Sequence, residues 1–142
     1  MVELEDVSDG IILTENQWLS MLADVQEKAP EEACGLLGGT GNRVFALVPI
    51  TNGARSTSRF RMDPGEQLRA FQRFEAGGLE ILGIYHSHPA GPTHPSETDI
   101  EESYYPDAVY LIWSKDNQGW ECRAFRISDK SFREVVIQIA NQ

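Results

Sequence analysis

The chain opens with a short apolar run that is followed by apolar residues at helical spacing. "GIILT", residues 10–14, is typical of a strand. Thr14 and Gln17 have the spacing of a capping box, which predicts that a helix starts here. We expect this helix to end near Pro30. One face of this helix is expected to carry the apolar residues Trp18, Leu22 and Val25.

The next segments alternate between strand and helix patterns. The apolar runs "CGLLGG" and "RVFALVPI" are separated by a glycine-containing turn and predict a hairpin. "SRFRM", residues 58–62, is a candidate for a further strand. Asp63 and Pro64 then have the character of an N-cap and a first-turn proline, and Gly77-Gly78 would close the helix. Its expected apolar face consists of Leu68, Phe71 and Phe74.

The second half of the chain is dominated by strand patterns. "LEILGIY", residues 79–85, is a continuous apolar run that fits a central buried strand. "SETDIEESYY" predicts a helix start, and "AVYLIW", "WECRAFRI" and "FREVVIQI" predict three more strands. This order predicts an α/β (α+β) fold in which a mixed β-sheet is flanked by helices. Sites in such folds tend to lie at the carboxyl ends of central strands.

Composition indicates one globular domain spanning residues 1–142, with 41% hydrophobic and 24% charged residues. A net charge of -10 argues against a nucleic-acid partner, because such proteins usually present a basic surface. No apolar run approaches the ~20 residues needed to cross a bilayer, and the first ten residues are acidic rather than signal-like. We therefore expect a cytoplasmic protein without membrane contacts, with Cys34 and Cys122 as free thiols.

All three histidines lie within "YHSHPAGPTHPSETD", residues 85–99. His86 and His88, two positions apart on an extended segment, should point to the same side. Imidazole nitrogens suit zinc, and Asp99 is a candidate third ligand that leaves a position open for water. Two other readings stay open from these residues alone. "SETD", which starts at Ser96, is also a capping box, and two histidines can simply be hydrogen-bonded at a strand end.

Two segments of the chain, residues 30–39 and 86–99, resemble segments of a known family. His86, His88, Ser96 and Asp99 have the full H-x-H-x(7)-S-x(2)-D pattern of the JAMM (MPN+) metallopeptidases. Upstream, "PEEACGLLGG" is similar to the family segment P-x-E-x-C-G-L-L-x-G, with Glu32 in register with its glutamate. "TNGARSTSRFRMDPGEQL" and "PDAVYLIW" also look like segments of short prokaryotic members. The resemblance implies a cytidine-deaminase-like fold, which agrees with the predicted element order.

The resemblance also implies a zinc-dependent peptidase or isopeptidase. In that family pattern, Zn²⁺ is held by His86, His88 and Asp99 and activates a water. Glu32 would move the water's proton to the leaving amine, and the Ser96 hydroxyl would stabilise negative charge on the carbonyl oxygen. The implied substrate is a ubiquitin-like or sulfur-carrier protein with a flexible Gly-Gly tail, held as an added strand.

Three rival hypotheses accompany this interpretation. His94 as a fourth ligand would make the site structural rather than catalytic, although we expect it to face solvent or line the groove. Cys34 could be a thiolate nucleophile activated by His86, but no second element of a cysteine-peptidase signature is visible. The fold could also serve as a non-catalytic MPN-type binding module. The intact Glu32 and the complete ligand pattern argue against that alternative.

Overall fold

The computed structural model describes residues 9–140. Within that range the chain forms eight strands and three helices. The strands are β1 Ile11–Thr14, β2 Cys34–Thr40, β3 Arg43–Ile50, β4 Glu80–His88, β5 Val109–Asp116, β6 Gly119–Ser128, β7 Ser131–Val135 and β8 Ile137–Ala140. The helices are α1 Glu15–Lys28, α2 Pro64–Ala76 and α3 Glu97–Glu101.

All eight strands join one mixed sheet in the order β7-β6-β5-β4-β2-β3-β1-β8. β4 lies near the middle, antiparallel to β2 and parallel to β5. β1 runs parallel to both β3 and β8. The part of β4 from Leu82 to His88 is buried throughout. The prediction of a mixed sheet around a central buried strand is therefore confirmed.

The two longer helices cover opposite faces of the sheet. α1 contributes Met21 and Val25 to one apolar cluster, whereas α2 contributes Ala70 and Phe74 to a second cluster. Because strand side chains alternate in direction, β4 supplies Tyr85 to the α1 cluster and Ile84 to the α2 cluster. None of the helices within residues 9–140 has the length and apolar character that a bilayer-crossing segment requires.

The helix starts agree with the predicted caps. The Thr14 hydroxyl accepts a hydrogen bond from Gln17 N at 3.1 Å, and Gln17 Oε1 accepts one from Thr14 N at 2.9 Å. The Asp63 carboxylate accepts a hydrogen bond from Glu66 N in the first turn of α2.

The predicted apolar face of α2 is wrong at Leu68. This side chain is 56% exposed, because the buried residues of α2 are Ala70 and Phe74.

Two predicted elements differ from the structure. "SRFRM" forms only an isolated bridge to Asn52, whose side chain takes up its backbone groups. "FREVVIQI" divides at Val136, so that β7 extends one edge of the sheet and β8 pairs with β1 at the other. By contrast, the helix start predicted for "SETDIEESYY" is confirmed, since α3 begins directly after Ser96 and is five residues long.

Tyr85 anchors β4 on the face next to α1. Its hydroxyl donates to Asp24 at 2.7 Å, and Asp24 also pairs with Lys28 at 2.7 Å. The neighbouring strand β2 makes room for the ring with Gly35, where a Cβ would overlap the Tyr85 side chain. This packing holds β2 and β4 in register directly behind the histidines of β4.

Candidate active site

The antiparallel pairing of β2 with β4 determines which polar residues meet. Cys34 lies opposite His86 in this register. Continued one step further, the register brings Ala33 opposite Ser87, and Ser87 N donates to Ala33 O at 3.0 Å. The next step brings Glu32 to the level of His88. Because side chains alternate along a strand, Glu32, His86 and His88 all face the side covered by α2.

Ser87 closes this pairing at the end of β2. Its side chain is fully buried, and its hydroxyl oxygen accepts a hydrogen bond from Ala33 N at 2.8 Å. Ser87 therefore bonds Ala33 through both its backbone and its side chain. We call this pair of bonds the Ala33–Ser87 clasp. It fixes the backbone beside Glu32 although that residue lies outside β2.

Three ligand-type atoms converge on the α2 side of the sheet. The Nε2 atoms of His86 and His88 are 3.0 Å apart. Asp99 Oδ2 lies 3.2 Å from the former and 3.0 Å from the latter. All three side chains are almost fully buried, with exposed fractions of 1%, 4% and 8%. The structure thus brings together the two histidines and the aspartate that were predicted from sequence. We call the arrangement of His86, His88 and Asp99 the ligand triangle.

Asp99 reaches this triangle from the first turn of α3. The hydroxyl of Ser96 accepts from Asp99 N at 3.1 Å, and Asp99 Oδ2 accepts from Ser96 N at 2.8 Å. The capping box is therefore present, and the same carboxylate oxygen also contacts both imidazoles. Asp99 therefore has the geometry of a capping residue and of a metal ligand at once, so the two interpretations of "SETD" are compatible. Since a hydroxyl also donates, Ser96 keeps a proton for another acceptor.

The tautomer of His88 follows from its second nitrogen. His88 Nδ1 lies 2.8 Å from the carbonyl oxygen of Pro92, which can only accept, so Nδ1 must carry the proton. The lone pair of a neutral His88 then points from Nε2 at the Asp99 carboxylate. Two acceptors at 3.0 Å need a cation between them, either a proton or a metal ion. In agreement, burial works to lower the pKa of His88, but Asp99, the Pro92 carbonyl and Glu32 together outweigh burial and raise that pKa.

The triangle has the dimensions of a tetrahedral metal site. Nitrogen and oxygen ligands about 2.0 Å from zinc lie about 3.3 Å from one another in a tetrahedron. The observed edges of 3.0–3.2 Å are close to that value. Glu32 forms a looser cluster with the two histidines, in which the ligand atoms lie within 4.8 Å of one another. Asp99 is the better candidate for a third ligand, because it already touches both imidazoles.

Glu32 is a buried carboxyl group, with only 3% of the residue exposed. Burial raises the pKa of Glu32 to about 7; His88 opposes this shift and Asp99 adds to it. Burial also works to raise the pKa of Asp99, but His86, His88 and Ser96 N outweigh it and hold that pKa below its usual range. The two carboxyl groups therefore differ in character. Asp99 is held as an anion, whereas Glu32 can take up and release a proton near neutral pH.

The ligand triangle and Glu32 lie between two recesses. One has a volume of about 340 Å³ and is lined by His86 and Asp99 together with aromatic and arginine side chains, including Phe60 and Arg59. The other, of about 490 Å³, contains Glu32, His88 and Ser96. The rest of its lining consists of small or compact residues, Pro30, Thr57, Ser58, Pro89, Ala90, Gly91 and Pro92. A bound chain can thus approach the cluster from either side.

The Cys34 thiol has the environment of a structural side chain. It is fully buried and donates to the Ile50 carbonyl at 3.4 Å. Burial, followed by the charge of Asp24, raises the pKa of Cys34 to about 12. A nucleophilic cysteine instead requires a lowered pKa. The geometry therefore argues against the thiolate hypothesis.

His94 takes a different direction from the other two histidines. It is an exposed residue whose ring stacks on Phe132 of β7, with 5.5 Å between centroids and 6° between planes. Its Nδ1 lies 3.0 Å from the Pro95 carbonyl. The stacking holds the His94 imidazole against Phe132 on β7. His94 therefore does not join His86, His88 and Asp99 as a fourth ligand-type side chain.

Sequence reasoning missed three residues around the cluster. Phe60 stacks on His86 at 4.6 Å between ring centroids, next to a His86 Nδ1 that has no hydrogen-bond partner among residues 9–140. Ser87 forms the clasp, and Asn52 bonds the Glu32 carbonyl at 3.0 Å. Nothing in their spacing signals these roles, because each depends on pairing between segments that are distant in the chain.

The matched sequence family agrees with the geometry of the site. A family profile described as prokaryotic homologs of the JAB domain matches residues 14–128. The chain belongs to this family, the short prokaryotic branch of the JAMM/MPN proteins. A CysO-cysteine peptidase from Mycobacterium tuberculosis is 36% identical over 126 residues, covering 87% of this chain and 86% of the relative. A desampylase from Pyrococcus furiosus is 35% identical, covering 94% of each chain.

Further comparisons support the same assignment. A protein from Thermus thermophilus named as a probable TtuB-protein conjugate cleaving protease is 37% identical, covering 81% of this chain and 74% of the relative. A solution structure from Desulfitobacterium hafniense superposes with a TM-score of 0.83 at 38% identity, covering 93% and 94% of the two chains. A JAB1/MPN domain protein from Archaeoglobus fulgidus shares the fold, with a TM-score of 0.59 at 18% identity, covering 92% and 97%. The named relatives are peptidases, and the chain is a hydrolase of their family.

Replacing Ser87 by alanine tests the Ala33–Ser87 clasp. Ser87→Ala leaves the buried Ala33 N–H without its acceptor, so the free energy of unfolding should fall by about 1–3 kcal/mol in urea titrations. Ser131→Ala is the matched control, because it removes an exposed hydroxyl that bonds Ser128 O at a turn. That control should change stability by less than about 0.5 kcal/mol. Equal losses in the two variants would contradict the clasp.

Proposed function

We propose that the chain is a zinc-dependent peptidase or isopeptidase. Its substrate is the amide bond that follows the C-terminal tail of a ubiquitin-like or sulfur-carrier protein. The observation that carries the proposal is the buried triangle of His86, His88 and Asp99 with Glu32 beside it. The relatives named as CysO-cysteine peptidase and as a TtuB-conjugate cleaving protease support the substrate class.

His86, His88 and Asp99 are the residues that would hold the metal. Two imidazole nitrogens and one carboxylate oxygen form a typical ligand set for a catalytic zinc, which keeps a further position open. When bound, zinc would supply Lewis acidity, which polarises a carbonyl group and lowers the pKa of water. The Pro92 carbonyl orients His88 by accepting its Nδ1 proton, and the Ser96 backbone orients Asp99.

Glu32 is the proposed general base and acid. As the oxygen of the attacking water bonds to the carbonyl carbon, Glu32 accepts the water's proton. As the carbon–nitrogen bond breaks, Glu32 delivers that proton to the leaving amine. A buried carboxyl group with a pKa of about 7 suits both steps at neutral pH. The clasp at Ala33 keeps this side chain facing the histidines.

Ser96 is the proposed donor to the carbonyl oxygen. Its hydroxyl oxygen already accepts from Asp99 N, so the hydroxyl proton is available for the negative charge that develops on the substrate. A fixed donor of this kind contributes about 3–4 kcal/mol of transition-state stabilisation in well-studied enzymes. The same hydroxyl thus caps α3 and serves the reaction.

The larger recess supports a carrier with a Gly-Gly tail as the substrate. Its walls beyond the cluster are built from compact residues such as Thr57, Ser58, Ala90 and Gly91. A tail without side chains can lie in extended form between such walls and bond to backbone groups. The net charge of -10 favours a protein partner over nucleic acid. We also propose that the reaction takes place in the cytoplasm.

A direct assay tests the proposed reaction. A small carrier protein ending in Gly-Gly is joined through that carboxyl group to an amino acid or to a lysine side chain. On incubation with the purified, zinc-loaded chain, intact mass spectrometry should show the free carrier with its Gly-Gly end. A chelator should abolish this product, and added zinc should restore it. Cleavage that is insensitive to the chelator would contradict the metal-dependent reaction.

Replacing Glu32 by glutamine separates proton transfer from metal binding. Glu32→Gln keeps the size of the side chain but cannot accept a proton, so turnover should fall by about 10²- to 10⁴-fold. Zinc content should stay at about one ion per chain, because the ligand triangle is untouched. Cys34→Ser is the control, since the buried thiol is not part of the proposed machinery. Wild-type turnover of Glu32→Gln would exclude Glu32 as the base.

A further inference from the structure

Asn52, just beyond the end of β3, uses every hydrogen-bonding position of its side-chain amide. It is 8% exposed. Nδ2 donates to the carbonyl oxygens of Glu32 at 3.0 Å and Arg59 at 3.1 Å. Oδ1 accepts from Ala54 N at 3.0 Å and from Arg61 N at 2.9 Å. An amide offers two donors and two acceptor positions, so all four are occupied.

These four bonds organise the segment formed by residues 53–61, which we call the rim loop. The rim loop contains no helix or strand, so its backbone groups need other partners. Three of the four Asn52 bonds go to rim-loop backbone, and the fourth goes to Glu32. A further bond runs from Glu32 N to Ser56 O at 2.8 Å. Glu32 is thus bonded to the rim loop directly through its N–H and indirectly, by way of Asn52, through its carbonyl.

The rim loop forms part of the wall of both recesses. Arg59 and Phe60 line the recess that holds His86, whereas Thr57 and Ser58 line the recess that holds Glu32. Phe60 also packs directly on the His86 ring. A displacement of the rim loop would therefore change the substrate groove on both sides of the ligand triangle and would weaken the hydrogen bonds that hold the Glu32 backbone on this side.

We propose that Asn52 is a positioning residue that locks the rim loop to Glu32, so that the general base and both groove walls keep one geometry. This inference rests on the proposed function for its effect on turnover. Asn52 touches neither the ligand triangle nor the reacting atoms through its four bonds. It acts through the Glu32 carbonyl and the rim-loop backbone. Its loss should open this region locally while leaving the sheet and the ligand triangle intact.

Asn52→Asp is the sharpest variant. It has nearly the same shape and keeps both acceptor bonds, but it loses the two N–H donors to Glu32 O and Arg59 O. Asn16→Asp is the matched control, because it makes the same chemical change at an exposed position in the first turn of α1. Asn52→Ala, which removes all four bonds without adding a charge, is the second variant.

The measurements are zinc content, kcat and KM on the carrier conjugate, and hydrogen exchange of backbone amides. In both Asn52 variants, zinc content should equal that of wild type and kcat/KM should fall about 10- to 100-fold. Exchange should accelerate in residues 53–61 while β2 and β4 stay protected. Asn16→Asp should match wild type in every measurement. This pattern distinguishes positioning from a general loss of stability, which would accelerate exchange throughout the sheet.

Two results would overturn the inference. One is an unchanged kcat/KM and an unchanged rim-loop exchange in Asn52→Asp and Asn52→Ala. The other is a uniform rise of exchange across the sheet, which would make Asn52 a contributor to global stability only. If wild-type protein cleaves no conjugate, the proposed function fails, and the exchange measurement still decides whether Asn52 locks the rim loop.

Discussion

The pairing register of β2 and β4 is the constraint on which the whole site depends. A slip of one residue would turn every side chain of a strand to the other face, and a slip of two residues would move Glu32 away from the level of His88. Only the observed register therefore brings Glu32 beside the histidines on one face. The Ala33–Ser87 clasp extends this register past the end of β2. Behind it, Tyr85 packs over Gly35 and bonds Asp24. A polar cluster on the α2 side is therefore held by packing on the α1 side.

Burial gives the cluster its chemical character. Two imidazoles and two carboxyl groups lie where water is largely excluded, which makes uncompensated charge costly. The Pro92 carbonyl fixes the proton of His88 on Nδ1, so a cation is needed between His88 and Asp99. The same burial raises the pKa of Glu32 to about 7. One environment thus suits a cation, either a proton or a metal ion, between His88 and Asp99, and it gives the neighbouring Glu32 a pKa near neutral pH.

Much of the architecture could be predicted from local sequence signals. The capping pair of Thr14 and Gln17 and the buried run that leads to His86 depend on neighbours in the chain, and both predictions are confirmed. The division of "FREVVIQI" between two sheet edges could not be predicted, because periodicity does not reveal the partner of a strand. For the same reason the role of Asn52 was missed, and the strand predicted for "SRFRM" is wrong. The candidate triangle was predictable because one short segment carries all its members, whereas Glu32 required the family resemblance.

The most direct test is the position of the metal ion itself. Crystals of the zinc-loaded protein, measured above and below the zinc absorption edge, would give an anomalous difference peak. We predict a peak bonded at about 2.0–2.2 Å to His86, His88 and Asp99, with the Glu32 carboxyl group beyond bonding distance. A peak bonded to Glu32 in place of Asp99, or a peak outside this triangle, would contradict the account.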